Sequence, residues 1–377
     1  MKDLLDIRKE IDVIDNQMLA LYRQRLELAS DVAAYKIANH KPVFDKARED
    51  SKIETLTADC KDSFERQGVE ELFSQIMSTS RKKQYQIMAD NVELGSFGFT
   101  QTIPGSFQDQ RVVYQGVAGA YSQAAMVQFF GETQSSFHVD TWRDAMEALQ
   151  HGDADFAVLP IENSTAGAVT ENYDLLVEYD VAIMGEQIIQ INHALLGLPE
   201  ANLSDITCVY SHPQALMQCD GYLRDVHPEF EAVATANTAM AAQKVKEEGN
   251  VHQAAIAGEI NAKLYGLKLL DSEIQDVKGN QTRFIIVSPK KQFSADAKTV
   301  SLCFELPHEK GSLYRILSHF IFNGLNMTRI ESRPIPQKQW EYRFFLDFEG
   351  NLMEEGTRNA LVGLQEETNF LRILGNY

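Results

Sequence analysis

The chain has 377 residues, enough for two or three domains, with 44% hydrophobic and 24% charged residues. That is the balance of an ordinary globular protein, not of a disordered, collagen-like or disulfide-stapled one. Its formal charge of −19 argues against nucleic acid as a partner, since phosphates demand a basic face, and makes any cation in an anion site deliberate. No apolar run approaches the ~18 residues that span a bilayer, and the N-terminal MKDLLDIRKE lacks a signal-peptide core. Four scattered cysteines (Cys60, Cys208, Cys219, Cys303) without a Cys-x-x-Cys pair fit a reduced cytoplasm.

Residues 1–90 read as all helix. Leu4, Ile7, Ile11, Ile14, Met18, Leu21, Leu28, Val32 and Tyr35 recur three and four apart, with no Gly or Pro before Pro42. A first helix of more than about thirty residues is predicted, too long for a globular core, which implies an extended bundle or an intertwined dimer. A short second helix follows Pro42, and a third carries Val69, Leu72, Phe73, Ile76, Met77, Ile87 and Met88 on one face. Residues 91–110, rich in Gly with one Pro, read as a linker. Over 111–290 the apolar runs RVVYQG, DFAVLPI, VAIMGEQI, ITCVYS and RFIIVS predict buried strands. Helical stretches are expected between them, after Tyr121, around Trp142–Leu149, after Gln214 and over Ala254–Leu264. This is an α/β pattern with a largely parallel sheet. Residues 299–377 give the order βαββαβ, with helices at Ser312–Phe322 and Glu354–Glu367, as in a ferredoxin-like fold.

Several polar residues stand where the helical seams should be apolar. Arg25 lies between Leu21 and Leu28, and Lys36 falls only ~20° off the same face. Ser80 and Gln84 continue the Ile76 line of the third helix, while Asp45, Arg48 and Glu49 share one face at the start of the second. Together they predict an anion-binding cavity inside the bundle, because an unpaired buried charge is costly. Arg8 and Lys36 stand about 42 Å apart along one helix, too far to serve one small ligand. If Arg8 serves such a site, it comes from a second chain.

These residues resemble the all-helical chorismate mutase domain, and the whole chain resembles the bifunctional chorismate mutase–prephenate dehydratase family. The resemblance implies three domains. Residues 1–90 would be the all-α mutase and 111–290 an α/β two-lobed, periplasmic-binding-protein-like dehydratase. Residues 299–377 would be an α+β ferredoxin-like ACT regulatory domain. It also implies that Arg8, Arg25, Lys36, Asp45, Arg48, Glu49, Ser80 and Gln84 line the mutase pocket. Chorismate is a dianion that rearranges within itself, so no nucleophile, metal or redox cofactor is required. Arginines would pair with its carboxylates, Lys36 and Gln84 would donate to the breaking ether oxygen, and Glu49 would accept from the ring hydroxyl.

In the middle segment three motifs sit where strands give way to helices, the usual ligand edge of an α/β sheet. PIENSTAGA supplies Asn163, Ser164 and Thr165; YSHPQAL supplies Ser211 and Gln214; GNQTRF supplies Thr282 and Arg283. They resemble the prephenate dehydratase signatures, and GVAGAYS (116–122) matches a further glycine-rich element, with Val117 where many relatives have proline. No GxGxxG occurs, which argues against a nicotinamide cofactor. The resemblance implies that Thr282 helps the prephenate hydroxyl depart. Arg283 is expected to anchor a carboxylate, with Glu162 a candidate proton source.

In the last segment ESRP (Glu331, Ser332, Arg333, Pro334) matches the regulatory motif of ACT domains, whereas GSLY (Gly311, Ser312, Leu313, Tyr314) keeps only the Gly and Leu of the second motif. Phenylalanine is the implied effector, and a homo-oligomer, at least a dimer, the implied assembly. The competing reading is a non-catalytic amino-acid sensor with a helical dimerisation arm. That protein would need neither Thr282 nor polar residues in its seams.

Overall fold

The computed structural model describes residues 2–90, 97–102, 110–336 and 338–377, so most of the 91–110 linker lies outside the described residues. The chain divides into two compact units, one pairing Met1–Thr100 with Ala295–Asn376, the other spanning Gln101–Ser294.

Three helices open the first unit. Helix α1 (Leu4–Ala38) runs 35 residues. The Asp3 carboxylate caps it by accepting from the Leu5 amide at 2.8 Å, and the helix ends shortly before Pro42. Asp45 caps α2 (Lys46–Thr57) by accepting from Arg48 N, and Asp62 caps α3 (Ser63–Ala89) by accepting from Glu65 N. The predicted seam of α1 is present but uncovered. Residues 2–21 are all exposed, Leu4, Leu5, Ile14 and Leu21 at more than half their area, and only Ala29 and Ala33 of α1 are buried. The buried face of α3 is its second half, and it is polar: Ser80, Arg81, Lys82 and Gln84 join Met77, Tyr85 and Ala89.

The same unit contains the βαββαβ segment. Its four strands pair antiparallel in the order Met327–Pro334, Tyr342–Glu349, Thr299–Glu305, Phe370–Asn376, the arrangement of a ferredoxin-like fold. Leu302 and Leu346 face each other at its centre, and Phe304, Phe320 and Phe348 are fully buried. The helix Glu355–Glu367 lies against both the helix Ser312–Phe322 and α3. Tyr85 and Ala89 of α3 share an apolar cluster with Val43 and Val362.

The second unit has two lobes, each built on a five-stranded sheet. One runs Ala182–Gln190, Gln281–Ser288, Phe156–Asn163, Val112–Gln115, Ser136–Val139; the other runs Lys268–Asp271, Ala194–Gly197, Gln253–Ala257, Cys208–Ser211, Glu231–Ala234. Both sheets are mixed, which corrects the largely parallel expectation. In each, the crossover strands pair parallel and the strands returning from the other lobe pair antiparallel. The helix expected over Ala254–Leu264 is also split. Gln253–Ala257 is a central strand and only Ile260–Tyr265 is helical. Alanine has little strand preference, but this run is buried on both faces, and burial overrides propensity there.

Candidate active sites

Arg25, Lys36, Asp45, Arg48, Glu49, Ser80 and Gln84 all line one cavity of about 440 Å³ within the helical bundle. α1 contributes the first two, the α2 cap and first turn the next three, and α3 the last two. Arg25 Nη1 donates to Ser80 Oγ and, at 3.3 Å, to the Ile76 carbonyl. Lys36 Nζ donates to Val43 O at 2.6 Å, and burial lowers its pKa against the support of Glu366, Asp45 and Glu49. Gln84 Nε2 donates to Ser80 O, while its buried Oε1 has no partner among the described residues. Arg48 is exposed on the open side. Arg8 is exposed too and is not among the lining residues.

Two cations of this cavity went unread in the sequence. Lys52 sits seven after Asp45, on the α2 face already singled out. Arg81 is 4% exposed, and its Nη1 donates to both oxygens of Glu49 at 2.5 Å. Burial works against the Arg81 charge, and Glu367 and Glu49 more than restore it. With Arg25, Lys36 and Arg48, five cations face two carboxylates in a chain of net charge −19. Such a cavity is matched to a small dianion.

The second cluster lies where the two lobes of the dehydratase-like unit join. Asn163 ends one strand and pairs in register with Thr282, and its Nδ2 donates to Thr282 Oγ1 at 3.0 Å and to Asn280 Oδ1 at 2.8 Å. Its Oδ1 accepts from the Thr165 hydroxyl at 2.7 Å. Thr165 Oγ1 in turn accepts from Gln218 Nε2 of the other lobe at 3.2 Å. Gln218 Oε1 lies 2.9 Å from His193 Nε2, and His193 Nδ1 lies 3.3 Å from the Tyr121 hydroxyl. A carbonyl oxygen only accepts, so His193 Nε2 carries the proton. Burial lowers the His193 pKa, opposed by the bond to Gln218, which keeps the ring neutral and its Nδ1 an acceptor. The Tyr121 proton is taken by Asn192 O at 2.8 Å, while from His193 through Gln218, Thr165 and Asn163 one set of bonds runs in a single direction to Thr282 Oγ1. That oxygen is an acceptor within the cluster, so its own proton is left for an acceptor outside.

The glycine-rich turn closes the other contact between the lobes. Asn261 Nδ2 donates to Gly119 O, the Tyr265 hydroxyl donates to Ala118 O, and a Cβ on Gly119 would meet Asn261 Oδ1 at 2.0 Å. Only glycine fits.

The remaining expected residues are placed differently. Arg283 follows Thr282 on a strand, and consecutive side chains leave opposite faces. Its guanidinium therefore sits with Glu186 (3.1 Å) and Glu162 (3.9 Å), away from the Asn163–Thr282 face; Glu162 is carried off with it. Ser211 is fully buried and donates to Ile256 O at 2.6 Å, stitching two core strands. Ser164 clasps the neighbouring strand through Gln281 N and O and donates to Asn280 Oδ1 at 3.4 Å, at the margin of the cluster, and Gln214 N donates to the capping ring of His212. The unread members were Tyr121, inside GVAGAYS; Gln218, one turn past Gln214; Asn280, inside GNQTRF; and His193, which had no signal.

In the C-terminal segment Gly311, at φ 76°, opens the helix Ser312–Phe322, and Ser312 Oγ donates to Pro307 O. Leu313 is half-buried and Tyr314 is 65% exposed. Glu331–Pro334 lie on the edge strand, with Ser332 and Pro334 outward and Glu331 and Arg333 half-buried.

Known proteins resemble this chain in both its helical and its two-lobed parts. The family model for chorismate mutase type II matches residues 7–85, and that for prephenate dehydratase matches residues 112–292. A bifunctional chorismate mutase/prephenate dehydratase of Aquifex aeolicus is 31% identical, covering 100% of this chain and 98% of the relative. That of Escherichia coli is 33% identical over 99% and 96%. The crystal structure of an Arthrobacter aurescens prephenate dehydratase in complex with L-Phe is 30% identical, covers 71% of this chain and 89% of its own, and superposes with a TM-score of 0.66. These similarities set aside the non-catalytic sensor: the protein belongs to the bifunctional chorismate mutase/prephenate dehydratase family.

Proposed function

We propose that the helical cavity binds chorismate through Arg25 and Arg48 on its carboxylates, with Lys36 and Gln84 donating to the ether oxygen as its charge develops and Glu49 accepting from the ring hydroxyl. Arg8 of a second copy of the chain closes the open side. The excess of five cations over two carboxylates carries this reading, and the bare apolar stripe of residues 2–21 supports the dimer. In the dehydratase the Thr282 hydroxyl, oriented by Asn163, donates to the departing hydroxyl of prephenate. Loss of carbon dioxide leaves its bonding electrons to close the aromatic ring. A threonine is a weak acid, so its part is a hydrogen bond that strengthens as the oxygen gains charge.

Residues 299–377 act as an ACT domain that binds phenylalanine through Gly311–Tyr314 and Glu331–Pro334 and feeds back on the dehydratase. The L-Phe complex of a relative and the ferredoxin-like strand order support this. Four free cysteines agree with a cytoplasmic enzyme, and among the described residues no helix is long and apolar enough to cross a membrane. Supplying chorismate and following prephenate, then phenylpyruvate, tests both activities. Repeating the second step with phenylalanine and with tyrosine as control tests the regulation, and a flat response to phenylalanine up to several millimolar would reduce the domain to a dimerisation module.

A further inference from the structure

Residues far beyond the first ninety hold the lining of the helical cavity from behind. Besides holding Glu49, Arg81 donates through Nε to Glu367 Oε1 at 2.9 Å, across 286 positions of sequence. The Glu367 side chain is 1% exposed, and the same oxygen meets the Tyr85 hydroxyl at 3.2 Å and His319 Nε2 at 3.3 Å. Burial pushes this carboxyl upward, but His319 and Arg81 outweigh it and hold it down to about 2, so it is a fixed anion at working pH. The preceding residue reaches the other side of the cavity. Glu366 Oε2 accepts from Val43 N at 2.7 Å and Phe44 N at 3.0 Å, and Val43 O is the acceptor of Lys36 Nζ. A docking contact between two finished domains would use solvated pairs of little strength. This one buries the Arg81–Glu367 pair, with Arg81, Tyr85 and His319 all meeting Glu367 Oε1, and removing one partner of such a pair leaves the other uncompensated.

We propose that the helix Glu355–Glu367 is part of the mutase: Glu367, acting through Arg81, positions the Glu49 carboxylate, and Glu366, acting through the Val43 and Phe44 amides, positions the Lys36 ammonium. Both are positioning residues with no contact to the reacting atoms. The proposal rests on assigning the cavity of Arg25 and Lys36 to the mutase reaction.

The test uses the full-length chain carrying Glu366→Ala, Glu366→Gln or Glu367→Gln, with both activities measured on each preparation from pH 6 to 10. Glu366→Ala is expected to lower mutase kcat about tenfold with a much smaller change in KM, as misplacement of a catalytic group does. Glu366→Gln still offers an oxygen to the two amides and should recover kcat to within about threefold. Both should move the alkaline limb of the mutase profile to lower pH. Lys36 loses the strongest of the charges, Glu366, Asp45 and Glu49, that support its own against burial and the neighbouring Arg48. Glu367→Gln should cost about tenfold or more in mutase kcat, while dehydratase activity on added prephenate stays at the parent level and reports a folded chain. If Glu367→Gln loses both activities it has unfolded, and the Glu366 pair decides. Equal losses in Glu366→Ala and Glu366→Gln, or an unmoved alkaline limb, would overturn the proposal. A parent chain without mutase activity, or an unaffected Lys36→Ala, would instead remove the assignment of the cavity.

Discussion

Five cations and two carboxylates line the helical cavity, whereas the hydrogen-bonded chain from His193 to Thr282 holds no ionised group, its one histidine kept neutral by burial. The reactions explain the contrast. A dianion that rearranges keeps its charge throughout, and a fixed set of cations can hold both carboxylates while stabilising the oxygen where charge grows. A substrate that must shed a carboxylate as neutral carbon dioxide gains nothing from a cation gripping that group, which would favour the ground state over the transition state. Oriented neutral dipoles stabilise the departing oxygen without that penalty. Arg283, turned away toward Glu186 and Glu162, fits the same logic.

The contrast can be broken most forcefully at Lys36. Lys36→Ala should lower the mutase rate a hundredfold or more, ~3 kcal/mol of lost transition-state stabilisation, and leave the dehydratase intact on added prephenate. A mutase rate within about threefold of the parent, in assays following chorismate absorbance, would show that charge is not the working principle there. Thr282→Ala should cost the dehydratase about a hundredfold, so that prephenate accumulates from chorismate. Product analysis must avoid acid, which aromatises prephenate unaided; rapid phenylpyruvate at neutral pH would clear Thr282 of any role. His193→Phe keeps the ring volume and removes both nitrogens. It should lower dehydratase kcat about tenfold with mutase unchanged, and a kcat within twofold would mean that orientation is not relayed past Gln218. The smallest effect concerns assembly. Arg8→Ala and Arg25→Ala chains, each inactive as mutases, should recover about a quarter of the parent activity when refolded together, since half the dimers are mixed and each mixed dimer has one whole site. Recovery of none would place Arg8 outside the site.

How much of this could be read beforehand follows the same divide. Arg25 and Lys36 interrupt an apolar stripe of period 3.6, and a charge in such a place has few explanations. Asn163, Thr165 and Gln218 look like caps and solvated turns wherever they stand, so only motif resemblance singled out the first two, and nothing pointed to His193. Arg283 was misplaced because a motif ignores the alternation of a strand. Ser211, one residue from a helix cap, belongs to the strand before it and spends its hydroxyl in the core. Ala254–Ala257 was misread because short buried runs carry no period. Glu367 was out of reach altogether: a contact across 286 positions leaves no local trace.

That last separation also sets a clock. A ribosome adding about 5–20 residues per second needs roughly 15–60 s to travel from Arg81 to Glu367. Throughout that interval the mutase helices, made first, have Arg81 paired with Glu49 alone, without Glu367, and Tyr85 and Ala89 without Val362. The cavity lining, made first, therefore waits for its last supporting carboxylates, and a polypeptide released early would carry the helical cavity without Glu366 and Glu367 behind it.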